Sequence, residues 1–460
     1  MNRCEAGTLF LSLRPARSLS ESQNKMKCML CRHAGTSFVV PLALLLGVAY
    51  TPLQSQSSEA TLSPDTVIAL APTRSATAEG RALWVTRFDY DSEAKIAYIM
   101  ETAAHAHFNI VYFQARAAGD AYYRSTIEPC AALLCGTLGG TPSYDPLEVA
   151  VREGHRRGLQ VHAYLNALTG KPAGIEGQCR AMPEPAPGNP RHMLLDHPEW
   201  AMTDRHGKRL PCPNSEEYIW LSPGFPAVRT RLATVAADVA RRYDVDGIHL
   251  DRIRYPGTAW SYDSASLAEF GRDPKAYPAE WLAYRTDLVN RMVKETYDSV
   301  AAVKPSLVFS AAVWGVYEDK WNWQTQRGLS DLMQDPRAWA KDGYMDVIVP
   351  MTYYHVKPVL CTRADWTCLL LDHVDGAERE TGRQMYIGID ASMGADEMVN
   401  QIKLARQGGA TGIAVFSFGA ADRAHVWPRL AADVFAEVAG VPPMPWKQSR
   451  GEGIVVGSLH

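Results

Sequence analysis

The 460-residue chain has no large excess of either charge: 47 Lys+Arg stand against 50 Asp+Glu, for a formal net charge of -3. No strong field therefore favours nucleic acid or an anionic membrane surface. Long apolar runs are also scarce. The one present, Ser37 to Tyr50 (SFVVPLALLLGVAY), is too short for a stable transmembrane span, which excludes a multi-spanning membrane protein. Hydrophobic residues at 47% and charged residues at 21% lie in the ordinary globular range, so a disordered or collagen-like chain is excluded too. No cysteine pair shows the CxxC spacing of a zinc knuckle, and nothing in the chain calls for a metal or other cofactor.

What the chain does have begins at its amino end. Lys25, Lys27, Arg32 and His33 precede the apolar run, and Gly47, Val48 and Ala49 close it, the layout of a signal peptide. A short basic region is usual, which points to translation starting at Met26. The expected organisation is an upstream segment and signal peptide over 1–49, a flexible Ser/Thr/Pro/Gln-rich linker over 50–78, a barrel over 79–440 and a tail over 441–460. The protein is then exported, periplasmic or secreted, with no stable membrane span once the signal is cleaved. Six of the 9 cysteines lie in the mature chain, and an oxidising compartment makes disulfides their default. Nearest neighbours give Cys130–Cys135, Cys179–Cys212 and Cys361–Cys368, although six cysteines allow 15 pairings.

From Arg81 onward, short β-rich runs alternate with amphipathic helical stretches. The runs are 81–88, 109–116, 159–166, 247–253, 307–313, 346–354, 385–390 and 412–418. Between the third and fourth, Leu232, Val235, Ala236, Val239 and Tyr243 repeat with helical spacing behind Pro226, a residue suited to a first turn. Eight βα units close a parallel sheet into a (β/α)8 TIM barrel. Long insertions at 117–144 and 167–221 follow strand carboxyl ends, where barrel active sites are built, and the expected disulfides would stiffen them.

The fold predicts a ring of site residues at those strand ends. Along the chain they are Arg87, Asp89, Gln114, Arg116, His162, Asn166, Asp251, Arg252, Arg254, Trp314, Tyr353, Tyr354, His355, Asp390, Ser417 and Phe418, with Asp120 and Glu318 in the adjoining loops. Planar Arg, Gln and Asn side chains beside Trp and Tyr suit sugar hydroxyls and ring faces. Asp251 ends an apolar strand between basic neighbours that would keep it ionised, as a nucleophile or base requires.

Here the chain resembles the glycosyl-hydrolase-like 10 proteins, exported bacterial (β/α)8-barrel proteins of glycosidase type. The matching stretches are RALWVTRFD (81–89), NIVYFQARAAGDAYY (109–123), YDPLEVAVREGHRRGLQVHAYLN (144–166), LSPGFPAVR (221–229), DVDGIHLDRIRYP (244–256) and GYMDVIVPMTYY (343–354). The resemblance implies an Asp at the fourth strand, which falls on Asp251. Many relatives follow that Asp with a second acidic residue, where this chain has Arg252, and some are linked to bacterial cell-wall glycan strands.

The expected function is therefore hydrolysis of a polysaccharide by two carboxyl groups, one ionised and one protonated. Asp251 is the ionised member. Asp390 is the favoured acid, because the apolar run before it would desolvate it, with Glu318 and Asp89 as alternatives. Arg87, Gln114, Arg116 and Asp120 read as substrate positioners, Trp314 and Tyr353 as stacking platforms. Two rivals stand beside this reading. A glycan-binding barrel without catalysis would keep the cleft. A metal-dependent hydrolase would need His ligands at strand ends, and His105-Ala106-His107 lies before the second strand, at the opposite end of the barrel.

Overall fold

Near-continuous apolar runs are what strands of a parallel sheet need when both faces are covered. In the computed structural model, which describes residues 78–172, 182, 184–209 and 218–448, all eight runs form strands. They are β1 (Gly80–Val85), β2 (Ile110–Arg116), β3 (Gln160–Asn166), β6 (Gly247–Asp251), β7 (Val308–Trp314), β8 (Val347–Met351), β9 (Gln384–Asp390) and β10 (Gly412–Phe416). All pair in parallel and close in the order β1-β10-β9-β8-β7-β6-β3-β2. Two shorter strands that the sequence reading did not anticipate, β4 (Thr169–Pro172) and β5 (Tyr218–Trp220), pair antiparallel within the insertion after β3. The signal run, Met26, the linker up to residue 77, the Cys179–Cys212 pair and residues 449–460 lie outside the described residues.

Strand parity divides the core into two layers. On β1, Leu83 and Val85 face outward and join the large cluster under the helices, whereas Ala82 and Trp84 face inward with Tyr112, Tyr164, Val349 and Tyr386. The helix Pro226–Arg242 buries Leu232, Val235, Ala236 and Val239 on its sheet-facing side, as its spacing predicts. Leu232, Val235 and Val239 each contribute roughly 1.5–3 kcal/mol relative to exposure.

The disulfides Cys130–Cys135 and Cys361–Cys368 are formed. They staple the loops after β2 and β8. Residues 441–448, read from sequence as a tail, close the bottom of the barrel. Val441 and Met444 pack on the inward layer, and Trp446 Nε1 donates to Asp346 Oδ1 (2.8 Å), a carboxylate also paired with Lys447 (2.7 Å). Among the described residues no helix is long and apolar enough to cross a membrane.

Candidate active site

A cavity of 580 Å³ opens at the carboxyl end of the barrel. Its walls take Arg87, Asp89, Gln114, Asn166, Asp251, Arg252, Arg254, Trp314, Tyr353, Tyr354 and Ser417 from the predicted ring. Parity explains the selection: the inward faces of β3, β6 and β7 end at Asn166, Asp251 and Trp314.

Asp251 is the most constrained of these groups, 8% exposed. Tyr164, two residues before the end of β3, donates its hydroxyl to Oδ2 (2.8 Å). Oδ1 accepts from the Arg252 N–H (2.5 Å) and from Arg254 Nη1 (3.3 Å). Burial alone would raise its pKa, but the guanidinium groups of Arg254 and Arg252, the Tyr164 hydroxyl and the Arg252 amide outweigh burial and hold it below the usual carboxylate range. The group is an ionised, oriented carboxylate. Arg252 itself takes a left-handed backbone (φ 53°), and its guanidinium carbon lies 5.4 Å from the centre of the Tyr218 ring.

Below this layer Trp84 Nε1 donates to His249 Nε2 (3.0 Å), and His249 Nδ1 meets Ser310 Oγ (2.9 Å). Because an indole N–H can only donate, His249 is neutral with its proton on Nδ1. Burial pushes its pKa down to about 3, in agreement. This interior network fixes Trp84, whose ring forms part of the cavity floor.

Asp89 is the other carboxyl among the described cavity residues. Its Oδ2 accepts from the Thr86 N–H (2.7 Å) and hydroxyl (2.9 Å), which fix its orientation. Burial nevertheless raises its pKa, against the opposing hydrogen bonds from Thr86 and Gly419 and the charge of Arg423.

Five of the predicted residues lie away from the cavity lining. Arg116 is 1% exposed and clamped by both oxygens of Glu128 (2.8–3.0 Å), with Nη1 on the Ala167 carbonyl (3.1 Å), so it braces two loops. Asp120 accepts from the Ala118 N–H (2.8 Å) inside its own turn. His162 faces inward but beside Gly247, the first residue of β6, far below the rim; Nε2 meets Gln160 (3.3 Å) and burial pushes its pKa down to about 4. Glu318 accepts from the Ser330 hydroxyl and lies 3.9 Å from Arg327. Asp390 is half-buried, and its Oδ1 caps the turn at Ser392 (2.8 Å); the desolvation expected for an acid there is incomplete. From the wider ring, His355 pairs with Glu397 (3.7 Å) and Phe418 is buried in the outer core.

Sequence reading missed Trp84, Thr86, Phe88, Tyr164, Tyr218, Met351, Phe416 and Arg423 among the lining residues. Parity would have supplied Trp84 and Tyr164, each an inward position near a strand end. Nothing in the sequence marks Tyr218, which arrives on the unanticipated strand β5. Phe88 is 70% exposed at the rim, with the Arg87 guanidinium 4.2 Å above its ring centre. Among the described residues no group of three or more His, Cys, Asp or Glu could hold a metal ion. His107 is instead bound to the Phe435 carbonyl (2.6 Å), near the foot of the barrel.

A closed parallel barrel with an aromatic, charged cavity at the carboxyl ends of its strands defines a (β/α)8 TIM-barrel protein. The chain belongs to the glycosyl hydrolase-like 10 family, which matches residues 79–401. It is 27% identical over 404 residues to Glycosyl hydrolase YngK of Bacillus subtilis (strain 168), covering 80% of this chain and 74% of that one. It is 27% identical over 290 residues to Glycosyl hydrolase DigH of Escherichia coli (strain K12), covering 61% and 62%. Among solved structures, the PgaB (BpsB) glycoside hydrolase domain from Bordetella bronchiseptica shares the fold at a TM-score of 0.52 and 15% identity, over 76% of this chain and 99% of that one. Alpha-L-fucosidase isoenzyme 2 from Paenibacillus thiaminolyticus shares it at 0.53 and 14%, over 78% and 49%. At these identities the likeness is one of fold.

Proposed function

We propose that the protein is an exported glycoside hydrolase, periplasmic or secreted, that cuts a polysaccharide with two carboxyl groups. Bacterial cell-wall glycan strands are the first substrate to try. The observation that carries this reading is the opposed tuning of the two cavity carboxyls: Asp251 is held low by Arg254 and Arg252, whereas Asp89 is pushed up by burial. Carboxyl groups whose surroundings push them apart divide into a base or nucleophile and an acid. Asp251 is the ionised member. Asp89 takes the proton-donor role in preference to Asp390 and Glu318, because it lines the cavity and they do not.

Digestion of peptide-stripped cell-wall strands and a panel of other polysaccharides tests the activity. Leaving groups then separate the acids. Asp89→Asn should slow natural glycans far more than aryl glycosides with activated leaving groups, which need little protonation. If Asp390→Asn or Glu318→Gln gives that pattern and Asp89→Asn does not, the proton donor is the other residue. Glycan binding without cleavage under any condition favours the non-catalytic barrel.

A further inference from the structure

Arg87 has an unusual set of partners for a half-buried guanidinium. Nη2 donates to the Tyr218 hydroxyl (2.8 Å) and Nη1 lies 3.4 Å from Gln114 Oε1, both neutral acceptors on buried side chains. Among the described residues no carboxylate comes within ion-pair distance of it. Two other guanidinium groups at the barrel mouth differ: Arg254 pairs with Asp251 and Arg116 with Glu128. Both cavity carboxyls are already engaged, Asp251 by Tyr164 and Arg254, Asp89 by Thr86. Among the described residues only two of the five N–H donors of Arg87 are used, and its guanidinium carbon lies 4.2 Å from the centre of the Phe88 ring. A partly desolvated cation on a fixed frame with donors to spare is a receptor for an anion.

Arg87 also walls a second, smaller cavity of 80 Å³, bounded by Tyr90 and Asp91 and by Tyr122, Leu133, Leu134 and Tyr144 from the segment that carries the Cys130–Cys135 bridge. One guanidinium thus faces the main cavity on one side and a small, partly apolar recess on the other.

We infer that Arg87 is the carboxylate-recognising residue of the cleft, selecting glycans that carry a carboxylate on a sugar bound beside Asp251, with the recess taking the carbon arm of that substituent. This rests on the cavity being a glycan site, but not on the glycan being cut.

The test uses the full chain and two carboxylated probes, a polyuronate and peptide-stripped cell-wall strands, each compared with the same polymer after reduction of its carboxyl groups to alcohols. Binding is read by affinity electrophoresis and cleavage by new reducing ends. The wild-type protein should bind at least one carboxylated probe about tenfold or more tighter than its reduced form, the scale of a charge-assisted pair. Arg87→Met should bring that ratio to about one, and Arg87→Lys, which keeps the charge and loses the fork, should fall between. Preference for the polyuronate alone places the carboxylate on the sugar ring, and preference for the strands alone places it on an ether arm. A wild-type ratio near one for both probes overturns the inference without any variant. A ratio that survives in folded Arg87→Met overturns it as well. Selective binding without new reducing ends sinks the hydrolase reading and leaves the inference standing.

Discussion

Asp251 shows how one side chain can be buried and still charged. Its desolvation is offset by two guanidinium groups, a phenol hydroxyl and a backbone N–H, all supplied by residues 164 and 252–254. Asp251→Asn keeps the shape and removes the charge. The expected outcome is a loss of turnover on the order of a thousandfold or more, with a folded protein about 1–3 kcal/mol less stable because Arg254 loses its ion pair. The sign of the pH dependence follows from the depressed pKa. An unfolded Asp titrates near 3.9, so the charged pair contributes its full stability above that value and loses it as the pH falls through the lower folded value. Urea melts of the two proteins from pH 7 to pH 3 should therefore show a constant stability difference down to about pH 4 that narrows below it. A difference that shrinks already between pH 7 and pH 5 would contradict a depressed pKa.

At the scale of elements, the loops rather than the strands carry the idiosyncrasy of this barrel. The bridges Cys130–Cys135 and Cys361–Cys368 close short loops of the chain, for which loop-closure entropy gives about 2 kcal/mol each. The second bridge packs with Val316 and with Trp323, whose ring stacks on Trp321 at 4.4 Å, on the loops above β7 and β8. Reduction should lower the melting temperature by several degrees while far-ultraviolet circular dichroism retains the barrel's signature. Hydrogen exchange should rise at 131–144 and 355–368 and remain slow in β6 through β9. Uniform loss of protection would show that the bridges hold the barrel itself.

The same division sets what was legible in the sequence. The eight barrel strands fall within a few residues of their predicted runs, because a strand covered on both faces is written as an unbroken apolar stretch. Strands β4 and β5 have no such mark: Thr-Gly-Lys-Pro and Tyr-Ile-Trp are short and lack alternation, and they pair only because the insertion folds back on itself. Position at a strand end places Gln114, Asn166, Asp251 and Trp314 on the cavity lining. It misplaces His162, which has the inward parity but sits near the start of its strand's pairing with β6, and it misjudges Arg116, consumed by Glu128 from the following loop. The first miss is one of depth along the strand, and the second comes from a partner that a loop's path decides.

For the whole molecule, burial of neutral histidines sets the response to acid. His249 inside the barrel is pushed down to about 3, and His162 below it and His373 against the Gly315 carbonyl (2.9 Å) are pushed down to about 4, each chiefly by desolvation. The unfolded chain protonates all three near pH 6.5 while the native protein does not, so stability present at pH 7 is lost as the pH falls below 6.5, at up to about 4 kcal/mol per pH unit. The depressed carboxylates Glu79, Asp251 and Asp372 act only below about pH 4, outside this window. Asp89 and Asp120 have the opposite sign, since their raised pKa values let the native state gain a proton first, but they are two groups against these three histidines and His192, which burial also pushes down. Melting temperatures should therefore drop steadily from pH 7 to pH 5, and His373→Gln, whose amide can still donate to Gly315, should flatten the slope by about a third. Protonation of His249 would in addition remove the acceptor of the Trp84 indole, so the cavity floor should loosen before the barrel unfolds. Tryptophan emission shifting to longer wavelength ahead of the circular-dichroism transition would register that order of events. Emission and circular dichroism changing together, with no slope between pH 7 and pH 5, would mean that the buried rings take up protons in the native state.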